Sequence, residues 1–192
     1  IAGEYKTALD LLRDVLTYDT NTPVIRLLLA IVGVELAVAL QDTALLDRMM
    51  NDEALELAFS SHEPGRIAPI VAAYAKVLIA RGDSLRAAKL IGRGIAVMNE
   101  ADHAFDLLAL AARYGAPADA VRARSLLEVR MKLPHHGVAQ AYMALWHAYD
   151  AKRRRARDKA EMHAKEAARL FARLKRRHQQ TEAIALSGNM AV

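Results

Sequence analysis

At 192 residues the chain can bury a sizeable core, either as one domain or as one elongated array. Hydrophobic residues make up 54% and aromatics only 5%, so Ala, Leu, Val, Ile and Met must build the interior, as they do in close-packed helices. Cysteine is absent, which excludes disulfides and Cys-ligated zinc and fits a reducing, cytoplasmic setting. The net charge of +5 is unevenly laid out: residues 152–178 hold twelve Lys or Arg against three acids, and the remainder is mildly acidic. The basic balance therefore belongs to one segment and not to the whole surface.

The hydrophobic period is helical from end to end, with no clean alternation for a strand, and an all-α chain is expected. Leu9, Leu12 and Leu16 line one face of a first helix over 4–18. PVIRLLLAIVGVELAVAL, residues 23–40, is apolar almost all round and lies at the lower length limit for a bilayer span. Glu35 would cost roughly 2.5–3.5 kcal/mol at membrane depth, and the flanking helices are polar-faced. A helix buried among its neighbours is expected, and no membrane contact. Arg26 and Glu35 point to opposite faces, so each must find a partner on another helix or reach water. Further helices are expected over 43–60, 67–81, 84–99, 101–114, 117–132, 137–177 (a break near 151 left open) and 180–187. Pro, Gly, Asp and Ser mark the boundaries at Glu63-Pro64-Gly65, Gly82-Asp83-Ser84 and Gly115-Ala116-Pro117. No secretory signal is visible. Ile1 in place of Met raises the expectation of a piece of a larger protein.

GEYKTALDLL at residue 3 and GDSLRAAKLI at residue 82 share a layout, with QDTALLD at 41 and GAPADAV at 115 in equivalent turns. The spacing argues for stacked two-helix units, none able to hide its apolar face alone. Over residues 68–101, Val71, Tyr74, Ala75 and Leu78 fall on a first helix, and Ala87, Ile91 and Gly94 at small, large and small positions of a second. In this the chain resembles the tetratricopeptide (TPR) family. The resemblance implies a single domain over 1–192, a TPR-like α-solenoid of stacked antiparallel helix hairpins. It departs from the pattern at Val71, where Trp is favoured, and at Arg124, which stands at an apolar position. Ala167, Ala168, Leu170, Phe171 and Leu174, then Ala183, Ile184 and Leu186, resemble the helical repeats of LuxR/MalT-type bacterial signal-responsive transcriptional regulators. Lys175-Arg176-Arg177 stands where those repeats usually turn on a glycine.

On a basic C-terminal helix, Lys165, Arg169, Arg173 and Arg176 form one stripe opposite Ala160, Ala164, Ala167, Phe171 and Leu174. Glu161 and Lys165 are placed for an i,i+4 pair. KRRRAR, 152–157, reads as the solvated side of that helix. Tyr142, Trp146 and Tyr149 either fill gaps between helices or stack single-stranded bases beside Arg153. The stripe could hold a phosphate backbone through counterion release, but no helix-turn-helix signature accompanies it.

Of the seven histidines none forms an HExxH pattern, and His135-His136 reads as a solvent-exposed turn. Gly92-Arg93-Gly94 sits inside a helix with no strand before it, so it is no phosphate loop. There is no Gly-x-Ser-x-Gly and no Cys nucleophile. No catalytic, cofactor or metal residue is therefore expected. The expectation is a non-enzymatic interaction or sensor module of a bacterial signalling or transcriptional regulator, binding a protein segment or small effector on its concave face. The alternative is a nucleic-acid-binding helical protein acting through 152–177.

Overall fold

The computed structural model describes residues 2–17, 22–40, 42–50, 52–99, 104–134 and 136–188, and every regular element among them is a helix. In chain order these are α1 (Ala2–Thr17), α2 (Pro23–Leu40), α3 (Thr43–Met49), α4 (Asp52–Ser60), α5 (Pro64–Ala80) and α6 (Ser84–Val97). There follow α7 (Phe105–Tyr114), α8 (Pro117–Met131), α9 (Gly137–Arg153), α10 (Arg157–Arg173) and α11 (Arg177–Gly188). The side chains of Leu16, Glu35 and His178, and residues His103 and His135, lie outside what is described.

Asp42 and Asp83 start α3 and α6, each side chain accepting from an amide three residues on, Leu45 N at 2.9 Å and Arg86 N at 3.1 Å. Asp119 does the converse for α8, its Oδ2 accepting from Ala116 N at 3.2 Å. From α5 onward each helix packs on the next, and α5, α6 and α7 also meet α7, α8 and α9 respectively. α2 meets α1, α3, α4 and α5. Val71, Tyr74, Ala75 and Leu78 of α5 are buried, as are Ala87 and Ile91 of α6. Gly94 lets three helices close up: a Cβ there would stand 2.8 Å from Leu107 and 2.9 Å from Val71.

Three expectations are corrected. The helix over 43–60 divides at Met50, whose backbone leaves the helical region (φ −83, ψ 83). α2 is sheltered on one side only. Leu27, Ala30, Val34 and Ala37 are buried, whereas Ile25, Leu28 and Val32 face outward, Leu28 at 55% exposure. Its Arg26 finds a partner on α4, with Nη1 3.4 Å from Glu53 Oε1. Among the described residues no helix is long and apolar enough to cross a membrane.

The third concerns 137–177: the break left open near 151 is present just beyond Arg153, and a second, unexpected one follows Arg173, so the stretch is two helices and the start of a third. Arg155 and Lys175 take φ of 59° and 56°, as Gly82 takes 82°. The next amide then reaches back over the turn: Asp83 N to Leu78 O at 2.9 Å, Ala156 N to Ala151 O at 2.9 Å and Arg176 N to Phe171 O at 3.0 Å. These are Schellman ends, which satisfy carbonyls the helix leaves open. Glycine adopts that conformation freely, but an L side chain costs about 1–2 kcal/mol there. Arg155→Gly and Lys175→Gly are therefore each expected to raise stability by about 1 kcal/mol. A urea midpoint that stays put or falls would contradict this account of the turns.

Candidate functional site

KRRRAR is not one wet helical face. Lys152 and Arg153 end α9, Arg154 and Arg155 make the turn, and Arg157 opens α10. The stripe is also interrupted, because Arg176 lies beyond the left-handed Lys175 and off α10. Within the stripe, Lys165 Nζ is 2.6 Å from Glu161 Oε1, the i,i+4 pair anticipated from sequence. Arg169 donates to both oxygens of Glu166, at 2.8 and 2.6 Å. Hydrogen bonds from Lys165 and Arg169 hold the Glu161 and Glu166 carboxyls below their usual range. Such exposed pairs add little stability, but each spends a cation. Arg173 is exposed; its charge also helps to lower Glu166, but it closes no ion pair with a described residue. The other face is as expected: Ala160, Ala164, Ala167 and Phe171 are all fully buried.

The three rings do not offer themselves to a base. Tyr142, Trp146 and Tyr149 are only 2%, 4% and 6% exposed. Phe105 stacks on Tyr142 with centroids 5.3 Å apart, and Phe171 meets Tyr142 edge-on at 5.0 Å. Stacking a nucleobase needs an open ring face, so the gap-filling account is the one that fits.

What sequence reading missed is a polar seam to which α5, α7, α9 and α11 each contribute. Lys76 of α5 places its ammonium 3.3 Å from Asp106 Oδ2 of α7 and 3.9 Å from Glu182 Oε2 of α11. The phenols of Tyr142 and Tyr149, both on α9, donate to Asp106 and Glu182 respectively. Burial first, then the neighbouring carboxylate, pushes both phenols far above the ordinary tyrosine range. Both therefore stay protonated and remain donors. Beside them Tyr114 tilts against Tyr149 at 6.5 Å, with the Arg113 guanidinium 4.8 Å above the Tyr114 ring. The usable signal was a lone charge in an apolar helix, as in AYAKVLIA around Lys76 and AFDLLALAA around Asp106.

A second cluster lies between α9 and α10. His147 stacks on His163 at 5.1 Å, and the edge of Trp146 meets His147 at 5.2 Å. The Trp146 indole N–H is buried without a hydrogen-bond partner among the described residues. His136 is exposed at the start of α9. Among the described residues no three His, Asp or Glu side chains come together as metal ligands. No protein-family model, curated protein or solved structure matches the chain.

The seam predicts an energetic cost on truncation. Tyr142→Phe and Tyr149→Phe each remove a donor from a partly shielded carboxylate, and each is expected to cost about 1–3 kcal/mol in denaturant unfolding. A change below a few tenths in both would reduce the seam to surface decoration. His147 gives a pH dependence. Burial, then the charges of His163 and Arg124, hold its imidazole below the ordinary histidine value, against the opposing pull of Asp150 and Glu128. The unfolded chain thus binds the proton first, and stability falls as pH drops through about 6.5 towards the folded value. Melting curves at pH 7.5 and 5.5 should show that loss shrinking in His147→Gln.

Proposed function

We propose that the chain is a non-enzymatic, TPR-like helical-repeat module, an α-solenoid of stacked antiparallel hairpins that binds a protein segment or small effector on its inner side. Support for the repeat comes from the packing, in which α5, α6 and α7 each meet both the next helix and the one after it. The burial of Val71, Tyr74, Ala75, Leu78, Ala87 and Ile91 is consistent with it. The observation that carries the binding reading is the seam, where alternate helices α5, α7, α9 and α11 bring Lys76, Asp106, Tyr142, Tyr149 and Glu182 together. The half-buried charges of Lys76, Asp106 and Glu182, backed by the buried tyrosines, are suited to holding a segment in a fixed register. The similarity of residues 164–188 to LuxR/MalT-type repeats supports a place in a cytoplasmic bacterial signalling or transcriptional regulator.

A random-peptide display library panned against the full chain tests this reading. Binding at micromolar Kd, weakened at least tenfold by Lys76→Gln or Glu182→Gln in variants that keep the wild-type circular dichroism, is the expected result. An empty selection, or peptides indifferent to both substitutions, would remove the seam as the binding side.

The second reading, nucleic acid held through 152–177, is favoured by one observation. Arg155, Arg157, Lys159, Arg173 and Lys175 are exposed and make no ion pair with a described residue. Titration against a DNA duplex at two salt concentrations separates the readings. Micromolar binding that weakens steeply with salt, and is lost when Lys165, Arg169, Arg173 and Arg176 are changed to Glu, would put the function on the outer surface.

A further inference from the structure

Near the C-terminal ends of α7 and α9 lie two cations, Arg113 and Lys152, whose charges act on one another and which pair with no acid among the described residues. Arg113 lies 4.8 Å above the Tyr114 ring and 5.9 Å above that of Tyr149. Lys152 follows Tyr149 by three residues on α9 and so shares its face. Two acids of the same neighbourhood, Asp150 on α9 and Glu182 at the Tyr149 phenol, are already engaged. Asp150, with its side chain only 13% exposed, is taken by Arg153 at 3.1 Å and Arg154 at 2.8 Å. Glu182 accepts from Tyr149 and faces Lys76. Neither Arg113 nor Lys152 has a side-chain hydrogen bond or ion pair with a described residue. Burial, and after it the charge of Arg113, holds the Lys152 ammonium below the ordinary lysine range.

A cation at a helix C-terminus is favourable by itself, since it faces the negative end of the dipole. That accounts for one charge on each helix, but not for two whose charges act on one another. The Arg113 guanidinium pairs with no described acid, and its planar fork of donors matches two oxygens of a carboxylate or phosphate. We infer that Arg113 and Lys152 form an oxyanion-binding site, in which the fork takes two oxygens of a phosphate or carboxylate group and the ammonium balances its charge. The ring of Tyr149 belongs to both this site and the seam, so the inference rests on the inner side being the binding side and gives its ligand an anionic group.

The test is a set of melting curves of the full chain at constant ionic strength in chloride, inorganic phosphate, pyrophosphate and succinate. A binding anion at about ten times its Kd should raise Tm by roughly 3–6 °C over the chloride control. Arg113→Gln and Lys152→Gln, each compared with its own chloride control, should lose the shift, while the outlying Lys89→Gln keeps it. A rise with phosphate or pyrophosphate alone assigns a phosphate group, and a rise with succinate alone assigns a carboxylate. The inference is overturned if no anion exceeds chloride, or if the rise survives in Arg113→Gln. Displayed peptides that bind the seam while no anion shifts Tm would remove this site and leave the seam standing. Loss of both would remove the inner side altogether.

Discussion

Close approach of helix backbones is the constraint on which the rest of this molecule depends. With few aromatic residues to fill space, the helices must come near enough for small side chains to touch. Ala87, Ala111, Ala123, Ala141, Ala148, Ala160, Ala164 and Ala167 are accordingly buried to nothing, and Gly94 leaves no room for even a methyl group. At that range a long polar side chain on one helix reaches past its neighbour. Lys76 can therefore span from α5 to acids on both α7 and α11. Dispersion between tightly fitted backbones and the polar seam are two results of the same spacing.

The helices were legible because their period is local, whereas their ends were less so. Asp42, Asp83 and Pro117 announced three starts, and each is where it was expected. Arg155 and Lys175 hid two stops, because a left-handed residue is recognised in sequence by being glycine and here it is a cation. The basic run that looked like one continuous face was in fact a helix end, a turn and a helix start. α2 misled in the other direction: uniform apolarity suggests burial all round, but only one side of it meets α1, α3, α4 and α5.

Charge pairing followed the same division between local and distant. Glu161 with Lys165 was predictable from four-residue spacing on one helix. Lys76 with Asp106, Asp106 with Tyr142 and Tyr149 with Glu182 are 30, 36 and 33 residues apart, and no periodicity within a helix reports on them. What sequence does hold is the oddity of a single charge on an apolar face. Burial with pairing is the physical resolution of that oddity, since a partly shielded charge is tolerable only with a counter-charge or donor beside it.

Trp146 is the chain's one tryptophan, and it is shut between helices with the His147 ring set perpendicular to its indole. Excited at the red edge of aromatic absorption, the protein has a single lamp, lit in the α9 neighbourhood and nowhere else. Its colour and brightness follow the loosening of that one packing layer, so an optical melt of this chain reads a local event, with α1 and α2 left dark.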